Sequence, residues 1–231
     1  MRKLTSAIIL LALLTGCQIA GVKGFWNTHS IDYSDIDAAR DQFAGFAQLA
    51  VDSPEQESLE AIDALFDKLQ KDTVAYYIYS DWIDGVFYNI FSPCRSASLY
   101  SKAVDRMVAD GILTESDMRP RLQKREWIQY NSNGAEATVP GAVIKERTLV
   151  LVLDTGCPSC REALTSLAEK PEWADVRRIA VCCGYGRTPE VPGWEYLTPE
   201  NATAVFDIRM TPVYFVVSAD GTVETTYQLA L

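Results

Sequence analysis

The sequence is poor in histidine, in positive charge and in long apolar segments, and each shortage excludes a class of function. His29 is the one histidine, and no cluster of metal-ligand residues surrounds it, so we interpret it as a surface or packing residue. The 21 Lys and Arg residues are outnumbered by 31 Asp and Glu residues, which argues against a nucleic-acid partner. After the first 17 residues, no segment has the length and apolarity to cross a membrane.

The first 17 residues have the pattern of a bacterial targeting segment. A basic start is followed by an apolar stretch, Ala7–Leu14, which is too short to span a bilayer. Leu14–Cys17 (LTGC) resembles the bacterial lipobox. The resemblance implies cleavage before Cys17 and lipidation of its sulfur, with cleavage by an ordinary signal peptidase as the alternative. We therefore predict a protein of the cell envelope that residues 18–24 tether to a lipid anchor, with the outer membrane favoured and the chain facing the periplasm or the cell surface.

Residues 25–132 show helical periodicity and predict an all-α domain. The predicted helices cover approximately residues 35–51, 54–71, 72–91, 93–110 and 117–130. The third is crowded with aromatic side chains, which indicates a buried helix in preference to a cofactor site. Cys94 falls in the first turn of the fourth helix, and we interpret it as a packed thiol because no partner lies near it in the sequence. Asn131–Gly134 has the composition of a linker.

The most informative stretch of the chain is Thr148–Cys160 (TLVLVLDTGCPSC). Its apolar run over 149–153 predicts a strand buried on both faces. Pro158 suits the first turn of a helix, so a buried strand leads into a helix that begins with two thiols. The dipole and free N–H groups at a helix N-terminus stabilise a thiolate at Cys157. Cys160 lies one turn further on, close enough to attack a mixed disulfide formed at Cys157.

A strand–turn–strand pattern follows near the C-terminus. Thr211–Pro212 precedes the apolar run Val213–Val217, and Asp220–Gly221 predicts a turn into a second strand. Another strand is predicted over Val176–Cys183, and its parallel pairing with the earlier strand requires the intervening helix as a right-handed crossover. Residues 133–231 therefore predict an α/β domain, and the fold class of the whole chain is α+β.

The CxxC motif at a helix start, together with Thr211–Pro212 before a hairpin, resembles the thioredoxin fold. The resemblance implies that Cys157 is the attacking catalytic cysteine and Cys160 the resolving one. It also implies that Pro212 is a cis-proline, and that Thr211 and Pro212 present backbone groups to an extended substrate strand. The expected activity is thiol–disulfide exchange with protein thiols and disulfides of the envelope, without a cofactor or a metal.

The chain departs from the thioredoxin pattern at several positions. No Trp precedes Cys157, the proline of the motif comes first among the intervening residues, and Leu151 stands in place of a buried acid. The sequence also ends where a final helix is expected, so we predict that the thioredoxin-like domain lacks this helix and that one face of its sheet is left bare. We predict that the helical domain packs against this face and that the two domains form one rigid body. The departures keep a second interpretation open, a non-catalytic binding or scaffold lipoprotein in which a Cys157–Cys160 disulfide is structural.

The chain as a whole resembles a family of lipoproteins from Gram-negative anaerobes, in which a helical domain of unknown function precedes a thioredoxin-like domain. The matching segments are FWNTHSIDYSD at residues 25–35, Ser92–Arg95, Asn133–Gly134 and Phe206–Ile208 ahead of Thr211–Pro212. The resemblance implies the domain organisation given above, with a helical domain over residues 25–132 and a thioredoxin-like domain over residues 133–231.

Cys182 and Cys183 follow one another in a predicted strand. With Cys157 and Cys160 they make four thiols that could hold zinc, but adjacent strand residues face opposite ways, which makes a shared ion awkward. Two small core residues are the preferred interpretation, and Cys183 could still approach the CxxC site as a further redox partner. Five cysteines remain after Cys17, an odd number, so at least one is unpaired or bonded to another molecule.

Overall fold

The structure is a computed structural model that describes residues 21–184, 186–187 and 190–229. The α-helices are α1 (Phe25–Thr28), α2 (Ile36–Val51), α3 (Glu55–Leu69), α4 (Thr73–Ile83), α5 (Ala97–Asp110), α6 (Glu115–Gln129), α7 (Pro158–Glu169) and α8 (Ala202–Val205). The strands are β1 (Thr148–Asp154), β2 (Arg177–Cys183), β3 (Glu195–Leu197), β4 (Val213–Val217) and β5 (Val223–Leu229). Cys17 lies outside the described residues, so its lipidation stays a prediction. None of the helices in the described ranges is long and apolar enough to cross a membrane.

Residues 22–129, called here the helical part, pack around an aromatic core. The fully buried rings are Trp26, Phe43, Phe46, Phe66, Tyr76, Tyr79, Phe87 and Tyr100. The aromatic stretch is a buried helix as predicted, but α4 ends at Ile83 and one π-helical turn, Asp84–Tyr88, continues it. His29 stacks on Phe25 with 4.0 Å between ring centroids, and its Nδ1 lies 2.8 Å from the Phe25 carbonyl oxygen. His29 is therefore a packing residue.

The start of α5 differs from the prediction and moves Cys94 out of a helix. The Ser96 Oγ accepts from the Leu99 N–H, which makes Ser96 the N-cap, three residues after the proline where the helix was expected to begin. The Ser96 N–H donates to the Phe87 carbonyl at 2.9 Å, so contact with the preceding turn decides this start. Cys94 lies buried in the loop before α5, and its Sγ is 3.6 Å from the Gln48 Oε1. Burial raises the pKa of the Cys94 thiol, as expected for a packed cysteine.

Residues 136–229, called here the sheet part, form one five-stranded mixed sheet in the order β3-β2-β1-β4-β5. β1 is central, pairs in parallel with β2 and antiparallel with β4, and is buried at every position except Asp154. Its burial explains why its sequence is apolar without alternation. The short strand β3 pairs in parallel with β2 and was not predicted. It has only three residues, and half-exposed side chains carry little strand signal.

The two faces of the sheet are covered in different ways. α7 packs on the face that carries Leu149, Leu151 and Leu153. On the opposite face, α8, residues 137–144 and Ile90 of the helical part pack against Val150 and its neighbours. Ile90 is the residue of the helical part that joins this cluster, whose other members come from the sheet part itself. That the helical part covers this face as one rigid body with the sheet part stays a prediction. No helix follows β5 among the described residues, which end at Leu229.

Residues 131–134 are not a free linker as predicted, because Asn131 is fully buried and both the nitrogen and the oxygen of its side-chain amide are hydrogen-bonded. Its Nδ2 donates to the Thr138 carbonyl at 3.0 Å, and its Oδ1 accepts from the Thr138 N–H at 2.6 Å. Further contacts join the helical and sheet parts: the Tyr88 hydroxyl donates to Asp207 Oδ2 at 2.7 Å, and the Trp127 Nε1–H donates to the Thr203 carbonyl at 3.0 Å. The domain boundary at 132/133 itself stays a prediction.

Candidate functional site

The end of β1 places the CxxC motif at the edge of the sheet. The strand stops at Asp154, whose Oδ1 accepts from the Gly156 N–H at 2.9 Å and whose carbonyl accepts from the Cys157 N–H at 3.0 Å. These two bonds turn the chain sharply out of the buried strand. Cys157 then occupies the N-cap of α7 in an extended conformation, and Pro158 takes the first helical position as predicted.

Cys157 is half-exposed and surrounded by hydrogen-bond donors. Partial burial works to raise the pKa of its thiol, but the hydrogen bonds outweigh burial and hold the pKa below its ordinary value. The donors are the Ser159 hydroxyl, whose Oγ lies 3.0 Å from the Cys157 Sγ, the Cys160 thiol, and the backbone N–H groups of Cys160 and Ser159. The free N–H groups at the start of α7 thus stabilise a thiolate, as the sequence indicated.

Cys160 has the opposite environment. Its side chain is 1% exposed and packs against the face of the sheet that α7 covers. Burial, followed by its hydrogen bond to Cys157, raises the pKa of the Cys160 thiol to about 12. The motif therefore combines an accessible thiol at Cys157, whose pKa is lowered, with a buried thiol at Cys160, whose pKa is raised, and this is the asymmetry that sequential attack by two thiols requires.

Thr211 and Pro212 lie beside these cysteines, although more than 50 residues separate them in sequence. The antiparallel register pairs Val152 with Val213, so the residues before β4 lie beside the end of β1. The Thr211–Pro212 peptide bond is cis, and the Thr211 hydroxyl donates to the Ile208 carbonyl at 2.8 Å. The same hydroxyl interacts with the Cys160 thiol and opposes the rise in its pKa. The structure thus brings all four predicted site residues to one end of the sheet.

Comparison with known proteins tests the fold that this geometry indicates. A solved structure, a thioredoxin-like protein from Bacteroides caccae, matches with a TM-score of 0.73 and 17% sequence identity, covering 90% of this chain and 87% of that chain. The fold is thioredoxin-like. The coverage extends well beyond the sheet, so the match includes the helical N-terminal region. No protein-family model matches the sequence, and no curated protein does.

The loop after β2 is a part of this candidate site that sequence reasoning missed. The Thr155 N–H donates to the Cys183 carbonyl at 2.9 Å, and the Gly186 N–H donates to the Thr155 Oγ1 at 2.7 Å. A Cβ on Gly184 would lie 2.6 Å from the Asp154 Oδ1, and one on Gly186 would lie 2.8 Å from the Thr155 carbonyl. Only glycine permits this close approach, so the two glycines directly after a strand were the available signal.

The adjacent cysteines of β2 belong to opposite faces of the sheet. Cys182 packs on the α7 face and Cys183 on the other, as strand alternation requires. Burial raises the pKa of Cys182 to about 11 and that of Cys183 to about 12. Within the described residues, no group of three or more His, Cys, Asp or Glu side chains is placed to hold a metal ion. Cys183 is also on the face opposite Cys160, so it does not extend the CxxC pair.

Proposed function

We propose that this protein is a thiol–disulfide oxidoreductase of the cell envelope, anchored to the membrane through lipid on Cys17 and acting through the CPSC motif. The observation that carries the proposal is the contrast within one helical turn between the half-exposed Cys157, whose pKa is lowered, and the buried Cys160, whose pKa is raised. Protein disulfides and thiols of the envelope are the proposed substrates.

In the reductive direction, the Cys157 thiolate attacks one sulfur of a substrate disulfide. The S–S bond of the substrate breaks, a mixed disulfide with Cys157 forms, and one substrate thiolate leaves and takes up a proton. Cys160 then gives up its proton and attacks the Cys157 sulfur. The second substrate thiolate leaves, and two electrons have passed from the cysteine pair to the substrate, which leaves a Cys157–Cys160 disulfide. Oxidation of a substrate dithiol is the same sequence in reverse.

Thr211 and Pro212 are proposed to position the substrate. Their place beside the end of β1 puts the backbone next to Cys160, where an extended substrate strand can pair with it while its disulfide reaches Cys157. The half-exposed Cys157 is the sulfur that such a strand meets first.

A redox titration of the full chain, with thiol labelling mapped by mass spectrometry, tests the proposal. We expect one couple, on Cys157 and Cys160, with a reduction potential between about −120 and −270 mV, the range of exchange catalysts. Cys182→Ala is the matched control and should leave the potential unchanged. A potential below about −300 mV would identify a structural disulfide and favour the alternative, a non-catalytic binding or scaffold lipoprotein.

Two variants test the remaining parts of the proposal. Cys160→Ser should retain attack by Cys157 but not release, so mixed disulfides with envelope proteins should accumulate and identify the substrates. Cys157→Ser/Cys160→Ser is the control that should trap none. Cys17→Ala should move the protein from the membrane fraction to the soluble fraction, and undiminished membrane association of this variant would contradict the lipid anchor.

A further inference from the structure

An open groove lies along α6, where the helical part meets the segment that precedes Thr211. Most of its surface is apolar, and its volume is about 610 Å³. The residues that form its floor and walls include Met118, Pro120, Leu122, Gln123, Trp127 and Arg209. All of these belong to α6 except Arg209, which lies in a short 3₁₀ turn of the sheet part, Ile208–Met210. The groove is therefore built from both parts of the molecule.

The groove begins next to the backbone that is proposed to pair with a substrate. Arg209 precedes Thr211 by two residues, so their Cα atoms are at most about 7.6 Å apart. The Arg209 guanidinium lies over the Trp127 ring, and the groove continues from there along α6 to Met118. Trp127 and Met118 are separated by about 14 Å, at a helical rise of about 1.5 Å per residue. A strand rises about 3.3 Å per residue, so about four extended residues span this length.

The two side chains at the Thr211 end of the groove are held in place. The Trp127 Nε1–H donates to the Thr203 carbonyl at 3.0 Å. Arg209 donates to the Asp207 carboxylate at 2.7 and 2.8 Å, and this pairing holds its guanidinium 5.4 Å from the centroid of the Trp127 ring. A wall that is already ordered loses little conformational entropy when a ligand binds. Tryptophan is also enriched among the residues that contribute most to binding at protein interfaces.

The charged side chains that line the groove balance one another. Glu115 and Glu126 are acidic, and Arg119 and Arg209 are basic. A ligand with a net charge of either sign therefore gains little from this surface. The apolar floor offers the stronger selection, since the half-exposed Leu122 and Trp127 gain most when an apolar side chain covers them.

We propose that this groove receives the substrate polypeptide beside its cysteine, so that the helical part selects extended protein segments with an apolar side chain near the cysteine. The substrate strand pairs with Thr211 and continues along α6. Within about four residues of its cysteine, an apolar side chain packs on Trp127 and Leu122. The inference rests on the proposed thiol chemistry and names the class of substrate.

Steady-state reduction of two cysteine peptides by the full chain tests the groove, with dithiothreitol as the electron donor. Each peptide carries its cysteine as a mixed disulfide with 2-mercaptoethanol. One peptide has leucines on both sides of the cysteine, and the other has serines at the same positions. We expect kcat/KM, after subtraction of the uncatalysed rate, to be about tenfold higher for the leucine peptide, a factor that burial of one leucine can supply. The difference should lie in KM, because the groove binds substrate and transition state alike.

A pair of aromatic variants locates the effect. Trp127→Ala should remove most of the preference for the leucine peptide. Phe91→Ala is the matched control and should retain the preference, because Phe91 is 66% exposed and lies outside the groove. If Trp127→Ala does not fold, Leu122→Ser changes the same floor and should also lower the preference.

The possible results separate this inference from the proposed function. Equal kcat/KM for the two peptides with the unmodified chain would overturn the inference and leave the thiol chemistry intact. A preference that is retained in the folded groove variant would do the same. No turnover of either peptide would overturn the proposed function, and the inference with it.

Discussion

The two cysteine pairs of the sheet part have the same residue type and opposite properties. Cys157 and Cys160 lie one helical turn apart at the start of α7, where one thiol is half-exposed with a lowered pKa and the other is buried. Cys182 and Cys183 are adjacent in β2, where both are buried, both have raised pKa values, and each faces a different side of the sheet. Backbone geometry therefore decides what a pair of thiols can do.

Removing one cysteine from each pair tests most directly whether the two pairs differ in their contribution to activity. Cys157→Ser should reduce the rate of dithiol-dependent reduction of a protein disulfide to the rate without protein, because the serine hydroxyl is not ionised at neutral pH and cannot attack sulfur. Cys182→Ala should retain the rate of the unmodified protein, since its side chain lies in the core. Undiminished turnover of Cys157→Ser would contradict the proposed function.

Alkylation with iodoacetamide across a pH series, mapped by mass spectrometry, sharpens the contrast. Only the thiolate reacts, so the labelling rate of Cys157 should rise tenfold per pH unit at low pH. The rate should level off below pH 9, because the pKa of Cys157 lies below this ordinary thiol value. From the thiolate fractions alone, Cys182 should react at least about a hundredfold more slowly at pH 7, and burial slows it further. Similar labelling rates for the two residues would show that the contrast does not exist.

Ser159 supplies part of the difference between the pairs. Ser159→Ala removes the hydroxyl 3.0 Å from the Cys157 Sγ and should raise the pKa of Cys157, because this hydroxyl is a hydrogen-bond donor that stabilises the thiolate. Ultraviolet absorbance of the thiolate during a pH titration measures this shift. Thr165→Ala, an exposed hydroxyl further along α7, is the control and should leave the titration unchanged. A shift of equal size in both variants would remove Ser159 from the explanation.

The buried pair predicts a smaller effect, on stability at alkaline pH. In the unfolded chain a thiol loses its proton near pH 9, whereas folded Cys183 keeps its proton until about pH 12. The unfolded state therefore binds fewer protons above pH 9, and the free energy of unfolding falls with rising pH, by about 1.4 kcal/mol per unit for one thiol. Urea unfolding at pH 8 and pH 10.5 should show a smaller fall for Cys183→Ala than for the unmodified chain. Cys157→Ala is the control: it removes a thiol whose pKa is not raised, so it should not reduce the fall in the free energy of unfolding between these pH values.

The sequence predicted the elements whose signals are local. The apolar run of β1, the proline at the start of α7 and the Asp220–Gly221 turn all appear where they were expected. The sequence predicted helix starts less accurately where they depend on contacts with other parts of the chain. α5 begins at Ala97, later than expected, because the Ser96 N–H donates to the Phe87 carbonyl of the preceding turn.

For the candidate site, the sequence alone determined the two thiols and their place at a helix N-terminus, because residue spacing and proline position act over a single turn. Only the tertiary structure decided which residues from other segments join them. Strand register brings Thr211 and Pro212 beside Cys160, and two glycines let the loop after β2 approach Asp154 and Thr155. Such pairings depend on long-range packing, which no local pattern in the sequence records.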